Sequence, residues 1–199
     1  PSIDAAGKFI DALEQRGVNL HSDGRPIMGI GAKEIVEICL RVDKRMVVIP
    51  AHAWTPWFAV FGSKSGYDSL EECFEELTPN IFAIETGLSS DPVMNRRLSQ
   101  LDKIALISNS DAHSLEKLGR EANVLNFDGE PTYDKMWDII KSGDKNKFLE
   151  TIEFYPGEGT YYNDGHRDCE VSLTPRETKK KKEICPVCGK KLTVGVLHR

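Results

Sequence analysis

Long apolar runs are missing from this chain of 199 residues. No stretch approaches the roughly 20 residues that span a bilayer, and no signal peptide opens it. A soluble, cytoplasmic protein is therefore expected. Cysteine is scarce too, with five in all. Cys39 and Cys73 stand alone inside helical patterns, so a disulfide framework is not expected. No Gly-x-Ser-x-Gly elbow and no phosphate-cradling glycine loop occurs, which argues against serine-hydrolase and P-loop chemistry. Internal repeats and long disordered tracts are also lacking.

What is present alternates. Residues 3–16 carry Ile3, Phe9, Ile10 and Leu13 at helical spacing, with Ser2 placed to cap the start and Gly17 to stop the end. A second amphipathic helix is predicted over 32–43. Then come a strand at 46–50, a loop over 51–67, a helix at 69–77 and a strand at 81–85. A helix at 92–100, a strand at 103–108 and a short helix at 115–121 follow. The series closes with a strand at 123–127, a helix at 132–141 and a strand at 150–155. Strands and helices in turn predict an α/β fold with a parallel sheet or barrel. Near residue 157 the alternation ends and Gly, Asp, Lys and Cys take over, giving an expected boundary between domains 1–156 and 157–199. Charge follows the same line. Residues 157–199 hold nine Lys/Arg against six Asp/Glu, net +3, and residues 1–156 carry the remaining −8 of a total of −5.

Three apolar runs end in residues that bind metals. Met46–Ile49 leads through Pro50 and Ala51 to His52, Ile81–Ile84 leads to Glu85, and Lys103–Ile107 leads to Asp111 and His113. In α/β folds, ligands gather where strands end at their carboxyl edge. On extended chain an Asp-x-His pair points to one side. His52, Glu85, Asp111 and His113 are thus the candidate catalytic metal ligands, of mixed N/O type. Beside them, Trp54, Trp57 and Phe58 crowd one loop. Two readings are open: a hydrophobic cluster that folds the loop down, or a stacking platform for a base or sugar.

In the tail the spacing is specific. His166-x-x-Cys169 precedes Cys185-Pro-Val-Cys188-Gly-Lys. Two such knuckles supply four ligands for one structural Zn²⁺, with His198 as the alternative fourth ligand. Such a metal would hold together a segment too small for its own core. The lysine run 179–182 is either a solvated loop or a phosphate contact.

With these residues assembled, the chain resembles the PHP (polymerase and histidinol phosphatase) superfamily, and within it the endonuclease Q family. The resemblance rests on residues 22–26 (SDGRP), 50–66 (PAHAWTPWFAVFGSKSG), 85–95 (ETGLSSDPVMN), 108–123 (SNSDAHSLEKLGREAN), 151–154 (TIEF), 164–167 (DGHR) and 185–196 (CPVCGKKLTVGV). It implies a distorted (β/α)7 PHP barrel, incomplete here, followed by a small zinc-binding module containing Cys169, Cys185 and Cys188. It also implies a metal-dependent hydrolase of DNA repair. Such an enzyme cuts one strand 5′ of deaminated bases (uracil, hypoxanthine, xanthine) or abasic sites, with DNA as partner and His52, Glu85, Asp111 and His113 as ligands. Phosphodiester hydrolysis suits Mg²⁺, Mn²⁺ or Zn²⁺ in that set, because clustered cations activate water and neutralise the transition state. Arg25, Arg96, Arg97, Arg120 and Arg167 are candidates for phosphate contacts. Trp54, Trp57 and Phe58 are candidates to stack on an extruded base. A small-molecule phosphatase on the same barrel, or a non-catalytic nucleic-acid-binding zinc protein with a relic site, are the competing readings.

Two departures stand out. The superfamily opens with a His-x-His motif, and nothing before His52 supplies one; His21 beside Asp23 is single. Residues 155–163 (YPGEGTYYN) are less acidic than expected, with Tyr162 where a His is expected. Pro1 and the Val-Leu-His-Arg ending both read as cut ends, so an excerpt of a longer polypeptide is expected. On its own it holds half a metal cluster and is expected to be inactive.

Overall fold

The computed structural model describes residues 1–21 and 27–199. Residues 22–26, and with them the candidate Arg25, lie outside the described residues. The chain forms two compact units. One comprises residues 1–48 and 70–81, the other residues 49–69 and 82–199.

The first unit is helical. Helix α1 (Ile3–Gln15) starts at Ser2, whose Oγ accepts the Ala5 N–H at 3.1 Å. It stops at Gly17, at φ +82. There the Gly17 N–H donates to Glu14 O and the Val18 N–H to Leu13 O, a paired termination that the left-handed glycine makes possible. Helix α2 (Ala32–Val42) presents Ile38 to Leu13 and Val18, and Phe9, Ala12, Leu20 and Met28 pack around them. Ile3 and Ile10, read as part of the apolar stripe, are instead 93% and 48% exposed. Phe9, Ala12 and Leu13 form the buried stripe, at the i, i+3, i+4 spacing of one helical face. Helix α3 (Leu70–Phe74) gives way to a 3-10 segment at Glu75–Asn80, so the helix expected over 69–77 is split. Pro79 lies inside that segment.

Among the described residues, the second unit holds all the strands. β1 (Ala83–Glu85) and β2 (Ala105–Ile107) pair in parallel, with Glu85 opposite Ile107. Between them lies α4 (Pro92–Asn95), capped by Asp91 Oδ1 on the Met94 N–H, and then a 3-10 turn at Ser99–Leu101. β3 (Ala122–Leu125) and β4 (Phe148–Ile152) are joined through α5 (Tyr133–Ser142). Ala83, Ile107 and Ile140 form the core here, with Ile49, Phe82, Met136 and Trp137 packed against them. β5 (Asp164–His166), β6 (Val171–Leu173) and α6 (Pro175–Lys180) complete the unit. The zinc module expected over 157–199 lies wholly within it.

Two strand expectations need correction. Residues 46–50 form no strand ladder. Instead, Pro50 O accepts the Glu85 backbone N–H, and the Ala53 N–H donates to the Glu85 carbonyl. Pro50 has no N–H to give, and His52 turns out of the extended region at φ +31. β3 and β4 run antiparallel, with a bulge between Val124 and Leu125, although a helix connects them. Gly143 ends α5 at φ +65, and the N–H groups of Lys147 and Phe148 both donate to Asp144 O. That tight turn sends the chain back along β3. Among the described residues the fold is thus mixed helix and sheet, with three sheets of two strands each. No helix among them is long and apolar enough to cross a membrane.

Candidate metal centres

The tail brings four ligands together. His166 ends β5, Cys169 ends the 3-10 turn Arg167–Cys169, and Cys185 and Cys188 flank a knuckle. One ligand atom from each lies within 4.8 Å of all the others. Cys188 Sγ stands 3.8 Å from His166 Nδ1, close to the edge of a tetrahedron with metal–sulfur bonds of about 2.3 Å. The knuckle is shaped by backbone. The Gly189 N–H donates to Cys185 O, the Cys185 N–H donates to Lys190 O, and Gly189 sits at φ +74. Burial pushes the Cys185 thiol up, but the N–H groups of Cys188 and Val187 outweigh it and lower its pKa. Cys169 is pushed up to about 11 by burial, then by its neighbours Cys188 and Cys185. Crowded thiols that cannot all ionise alone are what a bound cation relieves. This group fits a metal.

His198, the alternative fourth ligand, is occupied elsewhere. Its Nδ1 lies 2.7 Å from Oδ2 of the fully buried Asp164, whose Oδ1 accepts the Gly195 N–H.

The strand-end residues form a different kind of site. Glu85 is buried, and its two oxygens reach separate segments. Oε2 accepts the His52 N–H at 2.7 Å and Oε1 accepts Asn109 Nδ2 at 2.9 Å. Gly87, at φ +68, lies flat against His52, where a Cβ would sit 2.8 Å from the His52 Cβ. His52 Nδ1 meets Thr55 Oγ1 at 3.0 Å. Asp111 adopts φ +45, an uncommon conformation for a non-glycine residue. Its carbonyl lies 2.7 Å from His113 Nδ1. A carbonyl only accepts, so His113 donates from Nδ1, and Nε2 is the ring nitrogen left for a metal. Imidazoles that bind metal are commonly held in this way.

The structure therefore links His52 to Glu85, and Asp111 to His113. It does not gather three of the four within the distance reached by the Cys/His group, which is the one such cluster among the described residues.

The neighbouring side chains divide. Trp54 stacks on Phe61 with centroids 4.6 Å apart, and its Nε1 donates to the buried Asn95. It folds the loop. Trp57 is 41% and Phe58 77% exposed. Trp57 meets Tyr161 edge-on and lines a cleft of about 430 Å³ with Asn163, His166, Arg167 and Asp168. Arg96 donates to the carbonyls of Leu101 and Ile104, and Arg120 donates to Ser110 O while lying over the Phe154 ring. Both bind backbone of their own fold. Arg97 lines a separate pocket with Trp54 and Met94.

Two acids escaped sequence reasoning. Glu121 is buried and accepts the Phe154 N–H, and Glu153 accepts Thr86 Oγ1. Glu121 Oε2 and Glu153 Oε1 have no partner among the described residues. Burial raises both pKa values, with Glu153 adding to the rise at Glu121. Both lie in segments that carry the resemblance, but neither ends an apolar run, so no pattern singled them out.

Comparison with known proteins places this geometry. No family model matches the chain. It is 31% identical over 205 residues to an uncharacterised protein of Bacillus subtilis, YqxK, covering all of this chain and 49% of that one. An uncharacterised protein of Methanocaldococcus jannaschii, MJ0043, is 31% identical over 151 residues, 74% of this chain and 18% of its own length. Among solved structures, the lesion-specific endonuclease PfuEndoQ from Pyrococcus furiosus matches with a TM-score of 0.78 and 28% identity. Endonuclease Q in complex with a 27-mer duplex bearing an abasic lesion at the active site matches with a TM-score of 0.83, also at 28%. Each covers 99% of this chain and 48% of the solved one. The chain thus spans about half the length of YqxK and of both structures.

Proposed function

The chain is close to the endonuclease Q family, and on that premise we propose that it is the part of a DNA-repair endonuclease that holds the catalytic metal. In this reading residues 1–156 belong to a PHP-type barrel and residues 157–199 to a zinc module. The observation that carries it is the pair at the end of β2. His113 gives its Nδ1 proton to Asp111 O, with Asp111 Oδ1 3.9 Å from the same nitrogen, so Nε2 is the ring nitrogen left for a metal.

A divalent cation bound there, Mg²⁺, Mn²⁺ or Zn²⁺, supplies an activated water and charge for the phosphodiester transition state. Asp111 and His113 would hold it through a carboxylate oxygen and an imidazole nitrogen. Thr55 orients the His52 ring, and Glu85 anchors the His52 backbone. Of the candidate aromatics, the exposed Trp57 and Phe58 would stack on an extruded base, and Arg167, which lines one cleft with Trp57, would meet phosphate. Zn²⁺ held by His166, Cys169, Cys185 and Cys188 would be structural, because four protein ligands would close its shell.

The test is a cleavage assay on a labelled duplex with one abasic site, uracil or hypoxanthine, in Mg²⁺ or Mn²⁺. The natural gene product that contains this sequence is run beside its Asp111→Ala variant. A nick 5′ of the lesion, at least about a thousandfold slower in the variant, is expected. Binding without cutting by the unaltered protein would refute the nuclease and leave a DNA-binding module.

A further inference from the structure

The amide side chains of Asn109 and Asn123 have no role in the reading above, yet they join its two halves. Ser108, the residue after β2, donates its N–H to Asn123 Oδ1 at 2.9 Å. Asn123 Nδ2 donates back to Ser108 O at 2.9 Å. A side chain thus pairs with a backbone residue just past the last rung of β2. The second Nδ2 hydrogen of Asn123 reaches Asn109 Oδ1 at 3.2 Å, and Asn109 Nδ2 reaches Glu85 Oε1 at 2.9 Å. Glu85 Oε2 then takes the His52 N–H.

Chemistry allows this chain to run in one direction only. The Ser108 N–H can only donate, so Asn123 must turn Oδ1 toward it. That leaves Nδ2 for Asn109, which must answer with its own Oδ1. A carboxylate only accepts, so Asn109 must give Nδ2 to Glu85. One flip state of each amide satisfies every partner.

We infer that Asn123 and Asn109 are positioning residues. They form a relay that registers the Asp111–His113 loop against Glu85 and, through Glu85, the backbone of His52. The inference rests on the metal-site reading for its purpose but not for its geometry. It accounts for the uncommon backbone conformation of His52, at φ +31, whose N–H ends the hydrogen-bonded path, and it holds Asn109 two residues before Asp111, at φ +45. Such residues need surroundings that over-determine them.

Asn109→Asp keeps the shape and removes the donor, setting carboxylate against carboxylate. Asn109 is exposed, so the variant is expected to fold. Asn109→Ala, without the added charge, is the second variant. Two readouts are taken on the 199-residue chain with its Cys/His site saturated with Zn²⁺. One is hydrogen exchange of the His52 amide by NMR, and the other is Mn²⁺ affinity by loss of the free-ion EPR signal. At least a tenfold faster exchange in both variants is expected, with Mn²⁺ affinity lowered about 10- to 100-fold, as for other partners of metal ligands. Unchanged His52 exchange overturns the relay. Faster exchange with unchanged Mn²⁺ affinity overturns its role in setting the ligands. If the unaltered chain binds no Mn²⁺, the metal reading fails, and the His52 amide alone still decides whether the relay exists.

Discussion

The Cys/His group of the tail and the strand-end group around His52 are built from similar chemistry by opposite means. In the tail, each pair of ligands is close in sequence, and short backbone bonds of the knuckle aim them. The four ligand atoms already meet. Around His52, the candidate ligands arrive from separate segments, 33 residues apart for His52 and Glu85. They are joined through a carboxylate and two amides rather than through a common centre. A site assembled from local turns can be complete by itself. A site assembled from distant strand ends depends on the side chains between them.

Four substitutions would break or sharpen this contrast. The largest effect is expected at Cys185→Ser. Metal content by mass spectrometry should fall from about one zinc per chain to none, with loss of folded structure over 164–196 in hydrogen exchange, since such a small module folds with its metal. His198→Ala should keep its zinc. A zinc lost in His198→Ala would instead make His198 a ligand. The middle effect belongs to Gly87→Ala. Its Cβ meets His52 atoms at 2.8 and 2.9 Å, in a backbone conformation that L residues rarely adopt. Thermal unfolding should show a loss of about 1–3 kcal/mol. Exchange at His52 should rise while zinc content stays the same. Equal stability of the variant would mean that the close approach at His52 is not maintained in solution.

The smallest effect concerns Glu121. Its pKa is raised in the fold, mainly by burial. A carboxyl whose folded pKa lies above its unfolded value stabilises the fold at low pH, and that stability is lost as pH rises through the folded pKa. Glu121→Gln should therefore flatten the decline of melting temperature above pH 4.5, the ordinary value for this side chain. An unaltered slope in the variant would show that Glu121 ionises at no cost in its buried place.

Much of this was legible from short-range pattern. Ser2 and Gly17 bound α1, and the His-x-x-Cys and Cys-x-x-Cys knuckles located the ligands that meet. Apolar runs located β1, which ends at Glu85, and β2, which ends four residues before Asp111. The carbonyl partners of Arg96 and Arg120 were not legible, because an exposed arginine and one that binds a carbonyl eight or ten residues away look alike in sequence. Trp54 was ambiguous for the same reason, since its partner Asn95 lies 41 residues on.

Sequence alone determined the two sets of candidate ligands and the helix ends, because caps and metal knuckles act over a few residues of one chain segment. Tertiary structure alone decided that β4 reverses along β3, that His198 pairs with Asp164, and that Asn109 and Asn123 connect Glu85 to the Asp111 loop. Those choices depend on which polar groups are buried opposite one another. A donor finds its acceptor by proximity in the fold, and the spacing between them along the chain carries no trace of it.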